Sequence, residues 1–193
     1  MKFRAIATLA AMIMLSACGI NSVPTAEENA KARWADVQTN YQRRADLVPN
    51  LVATVKGAAT SEGSILSDVT NARAKATSVQ LSGNDLTDPA KVSAFNQAQN
   101  GLRLSLQRLQ EAYPELKSQA NFATLMSQLE GTENRIAISI RDYNAAVQAY
   151  NTRIRTFPDA IGAKVFYGAK PMVPFQAAAG SEVAPTVNFG NTN

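Results

Sequence analysis

The sequence predicts an all-α protein: a long antiparallel bundle of three long helices plus a short C-terminal helix, four-helix-bundle-like, with an extended C-terminal tail. Three observations predict it. Apolar residues recur at 3-4 spacing from Trp34 to Val79. The same spacing returns over Val92–Tyr113 and Phe122–Phe157. No alternating strand pattern competes between residues 26 and 157, and sustained helical periodicity over such lengths means packed helices.

The chain opens with Lys2 and Arg4, followed by an apolar run over residues 5–15. That run is too short for a membrane-spanning helix, which needs about 20 residues. A basic start, a short apolar stretch and small residues describe a secretory signal. Leu15-Ser16-Ala17-Cys18 resembles the lipobox of bacterial lipoproteins. The resemblance implies a signal peptide over 1–17 and a diacylglycerol on the Cys18 thiol. It also implies a fatty acyl chain such as palmitate on the new amino group. Two chains already anchor a protein stably. Cys18 is the only cysteine, so no disulfide is available to it. Gly19 stands where the sorting rule of such lipoproteins places Asp for inner-membrane retention. The expected address is therefore the cell envelope, on the periplasmic face, with the outer membrane favoured over the inner.

The 193 residues carry 19 basic and 15 acidic side chains and no histidine. Loss of Lys2 and Arg4 with the signal lowers the net charge from +4 to +2. No basic block interleaved with aromatics points to nucleic acid. Without histidine, the usual general base and the His-dependent nucleophile systems cannot be built. With Cys18 acylated, the usual zinc ligand set is missing too. Glu111 with Glu115, and Glu130 with Glu133, sit at helical spacing in polar surroundings, as solvated helix faces do. No cofactor, no metal and no enzymatic activity are expected.

Thr25-x-x-Glu28 after Pro24 has the form of a capping box opening the first helix, so residues 18–25 are expected to be a lipidated linker. The heptad seams run Trp34, Tyr41, Val48, Val55 and Val37, Arg44, Leu51 and onward to Val79, with Arg44 and Glu62 as polar exceptions. One unbroken helix over 26–79 would extend roughly 80 Å. "SGNDLTDP" over 82–89 is a turn in which Asp88 caps and Pro89 takes the first helical position. Pro114 interrupts the second helix and Pro158 ends the third. Residues 26–158 thus form the bundle, and 159–193 a short helix ("DAIGAKVF") and a flexible tail rich in Gly, Pro and Ala.

Polar residues break the seams at two places. Pro49 lies within the first helix, where its ring crowds the Ala45 carbonyl and its missing N–H costs about 3 kcal/mol. Arg44, one turn earlier, either bends outward and packs only its alkyl stem or meets an acid on a facing helix, because a buried unpaired guanidinium is not tolerated. Glu133 is the expected partner of Arg43 or Arg44. "YNAAVQAYN" over 143–151 repeats Tyr-Asn seven residues apart, placing Tyr143 and Tyr150 on one seam and Asn144 and Asn151 on its flank. Asparagine at a helix interface fixes register. The other reading is a polar, aromatic groove for a small ligand, lipid or cell-wall fragment.

"RRADLVPNLVATVKGAA", "EAYPELKSQANF", "ENRIAISIRDYNAAVQAYNTRIRTFP" and "APTVNFG" together resemble the LemA family of bacterial envelope proteins, over roughly residues 30–190. The resemblance implies an extracytoplasmic antiparallel helical bundle on a membrane anchor. LemA proteins usually carry an N-terminal transmembrane helix; here the lipobox stands in its place. The matching positions include Arg43, Arg44, Asp46, Pro49, Asn50, Glu111, Tyr113, Pro114, Glu133, Asn134, Arg135, Tyr143, Asn144 and Asn151. The implied role is a non-catalytic scaffold or adaptor, joined to the membrane through Cys18 and to envelope protein partners or to itself.

Overall fold

The computed structural model describes residues 21–58 and 63–176. Cys18, the signal segment, Glu62 and the "APTVNFG" motif lie outside the described residues. Among the described residues there are four long helices and a short one: α1 Ser22–Ala58, α2 Gly63–Ser78, α3 Pro89–Ala112, α4 Ala120–Arg153 and α5 Asp159–Gly162. No strand occurs among them.

The expected single rod over 26–79 is two helices. Arg73 of α2 bonds the Ala45 carbonyl, and Leu81 just beyond α2 accepts from Trp34. Later residues of α2 thus meet earlier residues of α1, so the two run antiparallel. The physical reason lies in the partners available. A rod of roughly 80 Å would overhang helices of 24 and 34 residues, the lengths of α3 and α4. Folding back gives every seam a cover. The heptad faces themselves hold: Trp34, Val37, Tyr41, Arg44, Val48, Leu51 and Val55 are buried on α1, and Leu66, Val69 and Ala76 on α2.

α1 also begins one turn earlier than the linker reading expects. Pro24 sits in the first turn, where no N–H is required of it. The Thr25 hydroxyl donates to the Asn21 carbonyl inside the helix at 2.7 Å instead of capping it. Residues 22–25 are therefore bundle, not linker. The α3 start follows its sequence: Asp88 accepts from the Ala90 and Lys91 amides, and Pro89 occupies the first position.

α1 packs against α4 and α2 against α3, each pair antiparallel. The long pair outreaches the short pair, and two cores result. One lies among all four helices and holds Val48, Leu51, Val55, Leu102, Leu109, Phe122 and Leu129. The other lies over the first half of α1 and the last half of α4, with Trp34, Phe95, Tyr143 and Tyr150. Here only the start of α3, through Val92 and Phe95, still supplies cover from the short pair. The rest comes from the single turn Gly83–Thr87 and from residues 163–176. The expectation of a flexible tail does not hold for 168–176: Met172 and Phe175 are buried. Past the helical turn Ala163–Tyr167, Gly168 takes a φ of 54°, a left-handed conformation glycine adopts without strain, and this turns the chain onto the bundle.

Candidate functional site

Residues 170–175 read Lys-Pro-Met-Val-Pro-Phe, with a proline every third residue. Such a chain favours the extended polyproline II form, which has no internal hydrogen bonds. Buried backbone groups must then be satisfied from outside, and α4 does this. Asn151 accepts from the Met172 amide and donates to its carbonyl, each at 2.8 Å. Asn144 does the same for Phe175, at 2.8 and 2.9 Å. The Tyr150 hydroxyl donates to the Lys170 carbonyl and the Tyr143 hydroxyl to that of Val173, at 3.1 and 3.0 Å. The Val173 amide donates to the Leu86 carbonyl at 2.8 Å. Pro171 and Pro174 have no N–H to place.

The spacing explains the fit. Seven helical residues rise about 10.5 Å, and three residues of polyproline II about 9 Å. A Tyr-Asn pair repeated at seven therefore meets an antiparallel strap repeated at three. Phe175 then enters a cluster of Trp34, Tyr41, Phe95 and Tyr143, with ring centroids 5.6–6.4 Å from its own. Tyr143, Asn144, Tyr150 and Asn151 do come together, as the groove reading required, but the chain's own strap fills the groove.

A second polar cluster separates the two cores. Arg44 is buried and donates from Nη1 to Glu133 at 2.9 Å. Its Nη2 donates to the side chain and the backbone carbonyl of Gln99, at 2.8 and 3.0 Å. Gln99 in turn donates to the Ala76 carbonyl near the end of α2, at 3.0 Å. One connected network thus touches α1, α2, α3 and α4. The Arg44 guanidinium also lies 4.9 Å from the centre of the Tyr41 ring. Such a network penalises any slip of one helix along another, because each shift strands a buried charge.

The remaining sequence candidates lie on the surface. Arg43, Pro49, Asn50, Asn134 and Arg135 are exposed. Arg43 and Arg135 line one shallow depression between α1 and α4, together with Asp36 and Asp142. On the other side, Arg43 borders an open groove of about 430 Å³ lined by Gln38, Gln42, Gln80 and Gln99. Three participants escape the sequence reading: Gln99, Arg73 and the strap. Gln99 gives no signal in an otherwise ordinary helix. The proline triplet spacing of the strap was the available signal for the third.

The resolved ionisation shifts all move away from neutrality. Burial pushes the Tyr41 hydroxyl up to about 12 and raises Tyr143 and Tyr150 as well. Hydrogen bonds from Lys91 and then Ser82 hold Asp85 far below the usual carboxylate range. A hydrogen bond to Glu27 raises Lys31. None of these groups is poised for proton transfer near neutral pH. Among the described residues no cluster of metal-ligating side chains occurs, and no helix is long and apolar enough to cross a membrane.

The sequence profile of the LemA family matches residues 33–189. Magnetosome proteins MamQ 1 and MamQ 2 of Paramagnetospirillum magneticum are each 30% identical over 157 residues, covering 72% of this chain and 58% of theirs. Protein LemA of Metamycoplasma hominis is 25% identical over 121 residues, covering 63% of this chain and 52% of its own. The chain thus spans between half and two thirds of the length of these relatives. The profile match takes in the Arg44–Glu133 network and the Tyr-Asn pairs with their strap, and the chain belongs to the LemA family.

Proposed function

We propose that this LemA-family chain is a membrane-anchored envelope lipoprotein acting as a non-catalytic helical scaffold or adaptor for other envelope proteins. Family membership supports membrane association, the lipobox-like Leu15–Cys18 segment supports a lipid tether on the periplasmic face, and Gly19 after it favours the outer membrane over the inner. One observation carries the scaffold role. The two polar clusters inside the bundle are spent on the bundle itself: Arg44, Gln99 and Glu133 on register, and Tyr143, Asn144, Tyr150 and Asn151 on the strap. What the molecule offers outward is a stiff helical surface.

Photo-crosslinking probes placed at Arg43, Arg135 and other exposed positions test this in living cells. Discrete crosslinked species from one face of the rod are expected. Recovery of monomer alone from every position contradicts a scaffold. A second reading, a binding module, rests on the glutamine-lined groove beside Arg43. Native mass spectrometry of protein purified from cells separates the two, since a stoichiometric bound molecule favours the module.

A further inference from the structure

The stretch 155–167, between α4 and the strap, is built inside out. Its buried residues are the small ones, Gly162 and Ala163. Its large apolar side chains face outward: Phe157 is 82% exposed, Ile161 58%, Val165 68%, Phe166 67% and Tyr167 42%. Phe157 lies in the turn before α5, Ile161 within α5 and Val165 in the helical turn after it, so the exposed side chains run through the whole segment. These are five of the seven large hydrophobic side chains exposed among the described residues. A soluble helix does the reverse, and a concentrated apolar patch marks a surface that something covers.

Position and charge identify the cover. α5 touches α1. Val23, at the start of α1, shares a core with Tyr150, Ala163 and Met172. The chain therefore enters the fold at the same end of the bundle as the patch, and Cys18 lies four residues before Ser22. Between Arg153 and Lys170 there are four basic residues and a single acid, Asp159, which pairs with Arg153 at 3.7 Å. Arg155, Lys164 and Lys170 are exposed along the same stretch of chain as the apolar side chains. On α1, Glu27 and Glu28 are engaged by Lys31. Exposed apolar side chains interspersed with cations suit a bilayer surface containing anionic lipid.

We propose that this end of the bundle docks on the membrane that holds the anchor. Phe157, Ile161, Val165 and Phe166 enter the boundary between headgroups and acyl chains, and Arg155 and Lys164 face lipid phosphates. The proposal rests on the membrane-anchored reading and adds an orientation to it. The rod stands with its strap end on the bilayer and its four-helix end away from it.

The test uses the full, lipidated chain in vesicles of phosphatidylcholine and phosphatidylglycerol with brominated acyl chains. A Phe166→Trp variant reports lipid contact through quenching, with buried Trp34 as a fixed background. Leu104→Trp, on an exposed site of α3, serves as the comparison. Flotation with the vesicles reports the anchor separately. Strong quenching of Phe166→Trp, with little for Leu104→Trp, is expected. A chain that floats without that quenching overturns the docking and leaves the anchor standing. One that neither floats nor quenches overturns both. Crosslinking of the patch to a second copy or another protein, with no quenching, reassigns the surface. In a non-lipidated Cys18→Ser chain, Ile161→Ser with Phe166→Ser is expected to weaken vesicle binding on the order of tenfold. Unchanged binding counts against the patch.

Discussion

Arg73 donates from Nε to the Ala45 carbonyl at 2.8 Å, the acceptor that Pro49 leaves without its helical donor. The proline's cost to α1 is thereby offset by a side chain from α2, and the same bond ties the two helices together. Arg73→Met is expected to cost about 1 kcal/mol, the net worth of one hydrogen bond. In a Pro49→Ala background the alanine N–H can serve that carbonyl, so the cost should shrink. A double-mutant cycle by urea unfolding measures the difference. Equal costs in both backgrounds reject the relationship.

The Arg44–Glu133 pair should be coupled in the same sense. Glu133→Gln leaves a buried guanidinium with weaker compensation, and Glu133 itself is half-buried. The expected loss is about 2 kcal/mol, below that of a fully buried pair. In an Arg44→Met background the same change should cost far less. Strictly additive losses would exclude the pair as a register device.

Asn144 and Asn151 each hold both polar groups of one strap residue. Alanine at either position should cost about 2 kcal/mol, two net hydrogen bonds. The signature is local. Amide hydrogen exchange at Met172 and Phe175 should accelerate, while α1 and α4 stay protected. Uniform acceleration through the molecule would mean that the strap is part of one global unit.

Alkaline conditions should weaken the fold in a defined window. Above about pH 10 tyrosines of the unfolded chain lose their protons, whereas burial keeps Tyr41 protonated up to about 12. The native state then binds more protons than the unfolded one, and stability falls as pH rises through that interval. Lys31, its charge held by Glu27, adds loss in the same direction. Urea midpoints should decline across the window, and Tyr41→Phe should flatten the decline. A midpoint indifferent to pH there contradicts the burial of Tyr41.

Much of this architecture was legible because helical periodicity is a local property. The seam through Trp34, Tyr41, Val48 and Val55 reads directly as the buried face of α1. Arg44 on the seam left two solutions, an outward turn or an acid on a facing helix, and its burial against Glu133 selects the second. The reversal after α1 was not legible from periodicity, because the 3-4 pattern runs through it. Only competition for partners of matching length ends the rod, and that is a tertiary matter. Glu62, one of the two polar exceptions in the seam, marked the region. The Tyr-Asn repeat was visible, but its partner was not. Matching a seven-residue helical repeat to a three-residue proline repeat requires both elements at once.

Everything functional proposed for the molecule depends on attachment through Cys18. Intact-mass analysis of the chain extracted from membranes tests this directly. A polypeptide starting at Cys18 and carrying a diacylglycerol is expected. An unmodified chain recovered from the soluble fraction, starting at any other residue, contradicts it.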